Sequence, residues 1–165
     1  MKTERLTHSA RQLSGAAALA TYLCLAAAAQ AGERTFHRNP DLPETFPFSA
    51  AVVVGDTIYL SGEIGVDYES FELVQGGVGP ETRQIFKNYQ ATLESLGSGL
   101  GDIVKCTVFL DDMAAFAEMN TAYAEAFPGP KPARSTFGVD GLALGAALEI
   151  ECLAVTGSRG QTESE

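Results

Sequence analysis

Hydrophobic residues recur along this chain in two different periods, and the change of period predicts where strands and helices lie. Two short apolar runs, residues 50–54 and 57–61, are joined by a Gly-Asp pair that is typical of a tight hairpin turn. Apolar residues then follow a helical spacing between Pro80 and Gly97, which suit the start and the end of a helix. These helical positions are Ile85, Phe86, Tyr89, Leu93 and Leu96. The pattern predicts a β-hairpin and then a first helix.

The second half of the chain alternates strand and helix again. Residues 103–110 are β-branched and apolar, as in a buried strand. Asp111 or Asp112 can cap a second helix. The apolar face of that helix is predicted to comprise Phe116, Met119, Tyr123 and Phe127. Two further strands are predicted at residues 134–139 and 148–155, with a Gly-rich turn between them.

This order of elements predicts an α/β fold: a two-layer sandwich of one mixed sheet with two helices on one face. Two helices can cover only one face of so wide a sheet. Along the last strand, Leu148, Ile150, Cys152 and Ala154 alternate with Glu149, Glu151, Leu153 and Val155. We expect the first set to face the helices and the second set to face another subunit, so the protein should be an oligomer.

The first residues are predicted to be a signal peptide. Three basic residues precede an Ala/Leu-rich run at residues 15–29, and Ala29-Gln30-Ala31 matches a small-x-small cleavage site. The run is too short for a stable membrane anchor. A signal peptide at residues 1–31 predicts a periplasmic or secreted protein. The alternative is a cytoplasmic protein whose Ala-rich N-terminal helix has no export role.

The rest of the chain is organised as one domain. Residues 32–48 are polar and Pro-rich and are predicted to be an extended N-terminal segment. Residues 49–157 are long enough to form a domain with its own core. Residues 158–165 are polar and are predicted to be a disordered tail.

Charge and motifs exclude several kinds of site. The chain has 11 Lys and Arg against 21 Asp and Glu, a formal net charge of -10, which disfavours nucleic-acid binding. It has no CxxC, no HExxH, no histidine cluster and no phosphate-binding loop, so we expect no protein-bound metal site. Cys106 and Cys152 fall in predicted core strands, where they can be small hydrophobes or, in an oxidising compartment, a disulfide. The sequence leaves that pairing open.

The candidate chemistry lies in the last two predicted strands. Pro-Ala-Arg-Ser-Thr at residues 132–136 places Arg134 at the start of one strand, and Glu149 lies in the next. A guanidinium grips a carboxylate through two parallel hydrogen bonds, and a glutamate in the same cleft can hold or polarise a water. On spacing alone, Arg134 is more typical of a solvated or salt-bridged surface arginine, and Glu149 with Glu151 of a solvated acidic stripe.

From residue 46 to residue 155 the sequence resembles the RidA/YjgF family, the reactive-intermediate deaminases of the chorismate-mutase-like fold. Five stretches carry the resemblance, in the family's order and spacing. They are Leu-Ser-Gly-Glu-Ile-Gly at 60–65, Gly-Asp-Ile-Val-Lys at 101–105, Phe-Ala-Glu-Met-Asn at 116–120, Pro-Ala-Arg-Ser at 132–135 and Glu-Ile-Glu at 149–151.

The resemblance implies a homotrimer with three clefts between subunits, each for a small 2-imino or 2-keto carboxylate. It implies hydrolytic deamination of 2-imino and enamine acids, such as 2-aminoacrylate and 2-iminopropionate, to 2-keto acids and ammonia without a cofactor. Arg134 would bind the substrate carboxylate, and the backbone of Thr136 would contact the imine or keto group. Glu149 would orient the attacking water and move protons. Ser61 and Asn120 match polar positions in the same cleft.

Three positions depart from the family pattern. Phe48 stands where many members have a tyrosine beside the substrate, and Thr136 where the best-known members have a cysteine. Glu63 replaces a common glutamine and adds a negative charge near a site meant for anions. A second class of function therefore stays open: a non-catalytic trimer that binds small carboxylates, or a holdase-like stress protein. The roles of Glu63 and Glu151 are left open.

Overall fold

The computed structural model describes residues 33–157, so the predicted signal peptide and the predicted tail lie outside the described residues. Within residues 33–157 the chain forms nine strands and two α-helices. The strands are β1 (Arg34–His37), β2 (Ala51–Val54), β3 (Thr57–Leu60), β4 (Glu63–Ile64), β5 (Val66–Asp67), β6 (Glu72–Leu73), β7 (Ile103–Leu110), β8 (Ala133–Gly138) and β9 (Leu148–Val155). The helices are α1 (Val78–Ser95) and α2 (Phe116–Ala126).

Seven of these strands form one mixed sheet. Its order is β1-β2-β3-β9-β7-β8, and β4 pairs with β9 beyond the end of β3. The pairs are antiparallel except β7 and β8, which are parallel because α2 carries the chain back between them. The predicted β2–β3 hairpin is confirmed, and its turn uses Gly55 at a φ of 58°, which a side chain disfavours. β5 and β6 form a separate small sheet.

Both helices cover the same face of the sheet, as the alternation in the sequence predicts. On α1 the predicted apolar residues Ile85, Phe86, Tyr89 and Leu93 are buried. On α2, Met119 and Tyr123 are buried, and Phe127 is buried just past the helix end.

Asp112 and Phe116 show how α2 begins. The Asp112 side chain accepts a hydrogen bond from the backbone N–H of Ala114, so it caps the short turn that leads into α2. Phe116, which was predicted on the apolar face of this helix, lies in the first turn of α2 and is 36% exposed. Its ring instead lies beside the guanidinium of Arg134.

The opposite face of the sheet carries exposed apolar side chains within residues 33–157. In β9, Leu148, Ile150, Cys152 and Ala154 face the helices and are buried, and the residues between them are not. The strand register aligns Phe36, Val52, Tyr59 and Leu153 in a row across four strands on the other face. Phe36 is 64% exposed and Tyr59 48% exposed. The single chain therefore presents an apolar sheet face to its surroundings.

The two cysteines of the core are joined in the structure. Cys106 on β7 and Cys152 on β9 stand directly opposite each other in the antiparallel ladder, with Cα atoms 4.1 Å apart. Their sulfur atoms form a disulfide of 2.02 Å. Both residues are buried beneath the helices. Of the two alternatives that the sequence leaves open, the structure has the disulfide.

Candidate active site

Arg134 lies on the edge strand β8 and faces α2. One of its terminal nitrogens donates a hydrogen bond of 2.6 Å to Oδ1 of Asn120. The guanidinium carbon lies 4.6 Å from the centre of the Tyr123 ring and 5.8 Å from that of Phe116. These contacts orient the planar fork through a polar bond and two ring faces. Arg134 has no carboxylate partner within residues 33–157, where the one ion pair found joins Arg83 to Glu125.

Thr136 stands near Arg134 because strand residues two apart share a face. In the parallel ladder with β7, Arg134 pairs with Cys106 and Thr136 pairs with Val108. Both β7 partners are buried under the helices, so Arg134 and Thr136 lie on the helix side of the sheet edge. We call Arg134, Thr136 and Asn120 the arginine group.

Phe48, Ser61 and Glu149 line a separate cavity of about 620 Å³. We call this cavity the carboxyl pocket, because Glu63 also lines it. Phe48 contributes an apolar wall together with Phe46, and the two rings meet edge to face at 5.5 Å. Because the walls are apolar, an ionised carboxyl group in this pocket is costly unless hydrogen-bond donors or opposite charges stabilise it.

Glu149 is held at the point where β9 exchanges one partner strand for another. Ile64 of β4 pairs with Glu149, and Glu63 pairs with Ile150. Oε1 of Glu149 lies directly over Gly62, so close that a Cβ atom at that position would stand 2.0 Å from it. Any side chain at Gly62 would therefore displace the carboxylate. This is the physical reason for the glycine in the Ser-Gly-Glu stretch.

Glu63 is the second carboxyl group of this pocket, and its Oε1 accepts two hydrogen bonds. The Tyr68 hydroxyl donates one at 2.8 Å and the Asn88 amide donates the other at 2.9 Å. Burial raises the pKa of Glu63 to about 7; the two hydrogen bonds act in the opposite direction, and the charge of Glu149 adds to the rise. Glu63 therefore exchanges its proton near neutral pH.

Two residues that support the pocket were missed by the sequence reasoning, Tyr89 and Glu81. The buried hydroxyl of Tyr89 contacts the carbonyl oxygens of Ser61, at 2.9 Å, and of Ile150. Burial raises the pKa of Tyr89 well above its ordinary value, so the hydroxyl stays neutral. Oε2 of Glu81 accepts the backbone N–H of Ala147 at 2.9 Å, two residues before Glu149. Their signal in the sequence was a polar group on the buried face of α1.

The structure does not bring the predicted site residues together within one chain. Arg134 pairs with Cys106 on one side of β7, and Glu149 pairs with Phe109 on the other side. Two strand spacings and three residues along the strand separate them by roughly 10 Å in each direction. Because side chains alternate between faces, the two groups also lie on opposite faces of the sheet. One chain thus presents two separate groups of predicted site residues, the arginine group and the carboxyl pocket, which we call the two half-sites.

No helix within residues 33–157 has the length and apolar character needed to cross a membrane. The same residues hold no cluster of three or more His, Cys, Asp or Glu side chains placed to bind a metal ion.

Similarity to known proteins covers the same residues as this domain. A family profile described as Endoribonuclease L-PSP matches residues 40–156. A 2-iminobutanoate/2-iminopropanoate deaminase of Mus musculus is 43% identical over 111 residues, 67% of this chain and 82% of that protein. Its namesake in Homo sapiens is 41% identical over 111 residues, 67% of this chain and 81% of that protein.

Solved structures agree with the sequence comparison. Yeast Mmf1 matches with a TM-score of 0.69 and 38% identity, over 74% of this chain and 98% of that chain. The YjgF gene product of E. coli matches with a TM-score of 0.68 and 32% identity, again over 74% and 98%. The two-layer α/β fold predicted from the sequence is confirmed by these matches and by the topology of the sheet. The chain belongs to the RidA/YjgF family.

Proposed function

We propose that this protein hydrolyses small 2-imino and enamine acids to 2-keto acids and ammonia. The observation that carries the proposal is Arg134, whose guanidinium is held by Asn120 and Tyr123 and meets no carboxylate within residues 33–157. A guanidinium that is oriented in this way and has no ionic partner can bind the carboxylate of a small acid through two hydrogen bonds. Relatives named 2-iminobutanoate/2-iminopropanoate deaminase, which match at 41% and 43% identity, support the same reaction.

The reaction needs orientation and proton transfer, which the residues of the two half-sites supply. Arg134 binds the substrate carboxylate through two hydrogen bonds, and the backbone of Thr136 contacts the imine nitrogen. Glu149 accepts a proton from a water molecule as its oxygen attacks the imine carbon. Glu149 returns that proton to the nitrogen, which gives a neutral carbinolamine. The hydroxyl proton then moves by way of Glu149 to the same nitrogen, the oxygen forms the keto C=O bond as the C–N bond breaks, and ammonia leaves. A positioned acid/base group contributes about 10²–10⁴-fold, and orientation adds to it.

The site is complete only if a second chain brings the missing half, so we propose a homotrimer with one cleft between each pair of neighbours. The apolar face of the sheet, with its row of Phe36, Val52, Tyr59 and Leu153, supports this assembly. Burial of such a face against other copies removes apolar area from water. In a closed ring, each arginine group meets the carboxyl pocket of the next chain.

We propose further that residues 1–31 direct the protein to the periplasm or outside the cell. The basic start, the apolar run and the Ala-Gln-Ala site support export. The Cys106–Cys152 disulfide also supports it, because disulfides persist in oxidising compartments. Cell fractionation with N-terminal sequencing should find a product that begins near Gly32 outside the cytoplasm. Uncleaved protein in the cytoplasm would restore the cytoplasmic alternative.

A ribonuclease function, which the description of the family profile names, is disfavoured by charge. The formal net charge of -10 repels the phosphate backbone of RNA, and Lys and Arg number only 11 in the whole sequence. The alternative that stays open is a trimer that binds small carboxylates without catalysis. The kinetic experiment below separates it from the deaminase.

The test is hydrolysis of freshly generated 2-iminopropionate, followed by release of pyruvate and ammonia. Arg134→Lys keeps the charge but loses the planar fork, and should lower kcat/KM by about ten- to a hundredfold. Glu149→Gln should bind pyruvate like the parent but turn over slowly, because the amide cannot accept a proton. Arg83→Lys is the matched control, since Arg83 forms a bidentate ion pair with Glu125 on the surface.

Two results would overturn parts of this assignment. If Arg134→Lys is as fast as the parent, the arginine does not bind the substrate carboxylate. If the parent does not accelerate hydrolysis over buffer, the protein is a binder of small carboxylates and the deaminase proposal fails.

A further inference from the structure

The hydrogen bonds around Glu63 divide its two carboxyl oxygens into different tasks. Both donors, the Tyr68 hydroxyl and the Asn88 amide, bond to Oε1. Asn88 is itself fixed, because its amide also donates to the Val66 carbonyl and its Oδ1 accepts from Gln84. No hydrogen bond to Oε2 is found within residues 33–157, so this oxygen is the place for a proton when the carboxyl is neutral.

The charges that act on Glu63 favour its neutral form. Glu149 faces it from β9 and carries the same sign of charge. From α1 it faces Tyr89, and from the turn after β5 it faces Tyr68; burial raises the pKa of both phenols, so neither supplies charge near neutral pH. Beyond these lie the carboxylates of Asp41, near Tyr68, and Glu151, near Tyr89.

We propose that Glu63 is a specificity-determining residue of this site, whose carboxyl admits an anionic substrate only while it holds a proton. The proposal rests on the proposed function, because it assigns the charge state in which that site binds its 2-imino or 2-keto acid. Glu63 and Glu149 line the same pocket and lie at adjacent positions of the β4–β9 ladder. With both ionised, a bound carboxylate would be a third negative charge beside a single guanidinium from the arginine group.

Electrostatics give the size of the effect. A second like charge about 6 Å from a ligand carboxylate in a partly buried site weakens binding by about ten- to a hundredfold. Protonation of Glu63 removes that repulsion and leaves Glu149 as the one carboxylate that takes a proton from water. Binding of the anion must then draw a proton onto Glu63 whenever the free site is ionised.

Pyruvate is the suitable probe, because its own carboxylate does not titrate between pH 6 and pH 8. Calorimetry of the assembled parent protein should find the dissociation constant about tenfold higher at pH 8 than at pH 6. At pH 8, binding should take up about one proton, measured by repeating the titration in buffers of different ionisation enthalpy.

Three variants separate this effect from a structural one. Glu63→Gln keeps an acceptor for Tyr68 and Asn88 and places the family's common residue here; its pyruvate affinity should be equal at both pH values, without proton uptake. Tyr68→Phe removes a hydrogen bond that favours the ionised carboxylate, so the loss of affinity should move to higher pH. Glu94→Gln, the same change on the exposed part of α1, should behave like the parent.

Each outcome either supports or contradicts the inference. The inference is wrong if Glu63→Gln keeps the pH dependence of the parent, if Tyr68→Phe moves the loss of affinity to lower pH or leaves it unmoved, or if the parent binds no pyruvate at any pH. Imine hydrolysis, measured on the same preparations, tests the proposed function separately. An active parent with pH-independent pyruvate binding fails only the inference. An inactive parent with proton-linked binding fails only the deaminase proposal.

Discussion

Mixed oligomers of two impaired variants test whether each site is built from two chains. Arg134→Lys damages the arginine group, and Glu149→Gln damages the carboxyl pocket, but each variant keeps the other half-site intact. The two residues lie on opposite sides of β7 and on opposite faces of the sheet, too far apart for one small ligand. In a mixed ring, some clefts should combine the intact Glu149 of one variant with the intact Arg134 of the other.

Random assembly determines the size of the recovery. With equal amounts of the two variants, half of the chains carry an intact Arg134 and half an intact Glu149, so about one quarter of the clefts are complete. The mixture should therefore reach about one quarter of the parent's kcat/KM. Either variant alone should stay at about a tenth or less.

The assay uses chains unfolded separately in urea without reductant, which keeps the Cys106–Cys152 disulfide, then mixed and refolded together. Hydrolysis of 2-iminopropionate is followed as before, and the parent refolded alone sets the full scale. A matched mixture combines the parent with the Arg134→Lys/Glu149→Gln double variant. It should retain about one quarter of the activity if sites lie between chains, and about one half if each lies within a chain.

The reasoning is refuted if the parent refolds to full activity but the mixture of single variants is no more active than the average of the two variants refolded alone. Each site would then use residues of one chain, and the separation of the two half-sites would have no functional meaning.

Three further predictions concern stability and assembly. Reduction of Cys106–Cys152, which are 46 residues apart in sequence, should lower the free energy of unfolding by roughly 2–4 kcal/mol in urea titrations. The Cys106→Ala/Cys152→Ala variant should not respond to the reductant, and an equally insensitive parent would exclude the disulfide. Glu63→Gln should stabilise the protein at pH 8 but not at pH 4.5, because the folded carboxyl keeps its proton up to about pH 7 while the unfolded one ionises above 4.5. The gain in free energy of unfolding is at most about 3 kcal/mol, and thermal melts with a constant difference between the variants across this range would contradict it. Light scattering of the chain without residues 1–31 should find three times the monomer mass, and a monomer at micromolar concentration would exclude both the trimer and the shared cleft.

The local pattern of the sequence predicted the β2–β3 hairpin, both helices and the strands β7, β8 and β9, but not β1, β4 or β5. Alternation in residues 148–155 predicted which side chains of β9 face the helices, because successive residues of a strand point to opposite faces. The hairpin at Gly55 and both helices followed from turn chemistry and from the helical period in the same way. Phe116 remains partly exposed on the predicted apolar face of α2, because periodicity predicts only a face of a helix and the sheet beneath that face ends at β8.

The sequence by itself also predicted which residue types would carry the chemistry, since Arg134, Glu149 and their neighbours stand in motifs that resemble those of the RidA/YjgF family. Only the tertiary structure decided how they are grouped. Strand order places β7 between Arg134 and Glu149, and strand order depends on pairing between segments distant in the chain. The same long-range packing joins Cys106 to Cys152 and surrounds Glu63 with Tyr68 and Asn88. The pKa of Glu63 rises to about 7 because its carboxyl group is buried, and burial is a property of the assembled fold and not of any local stretch of sequence.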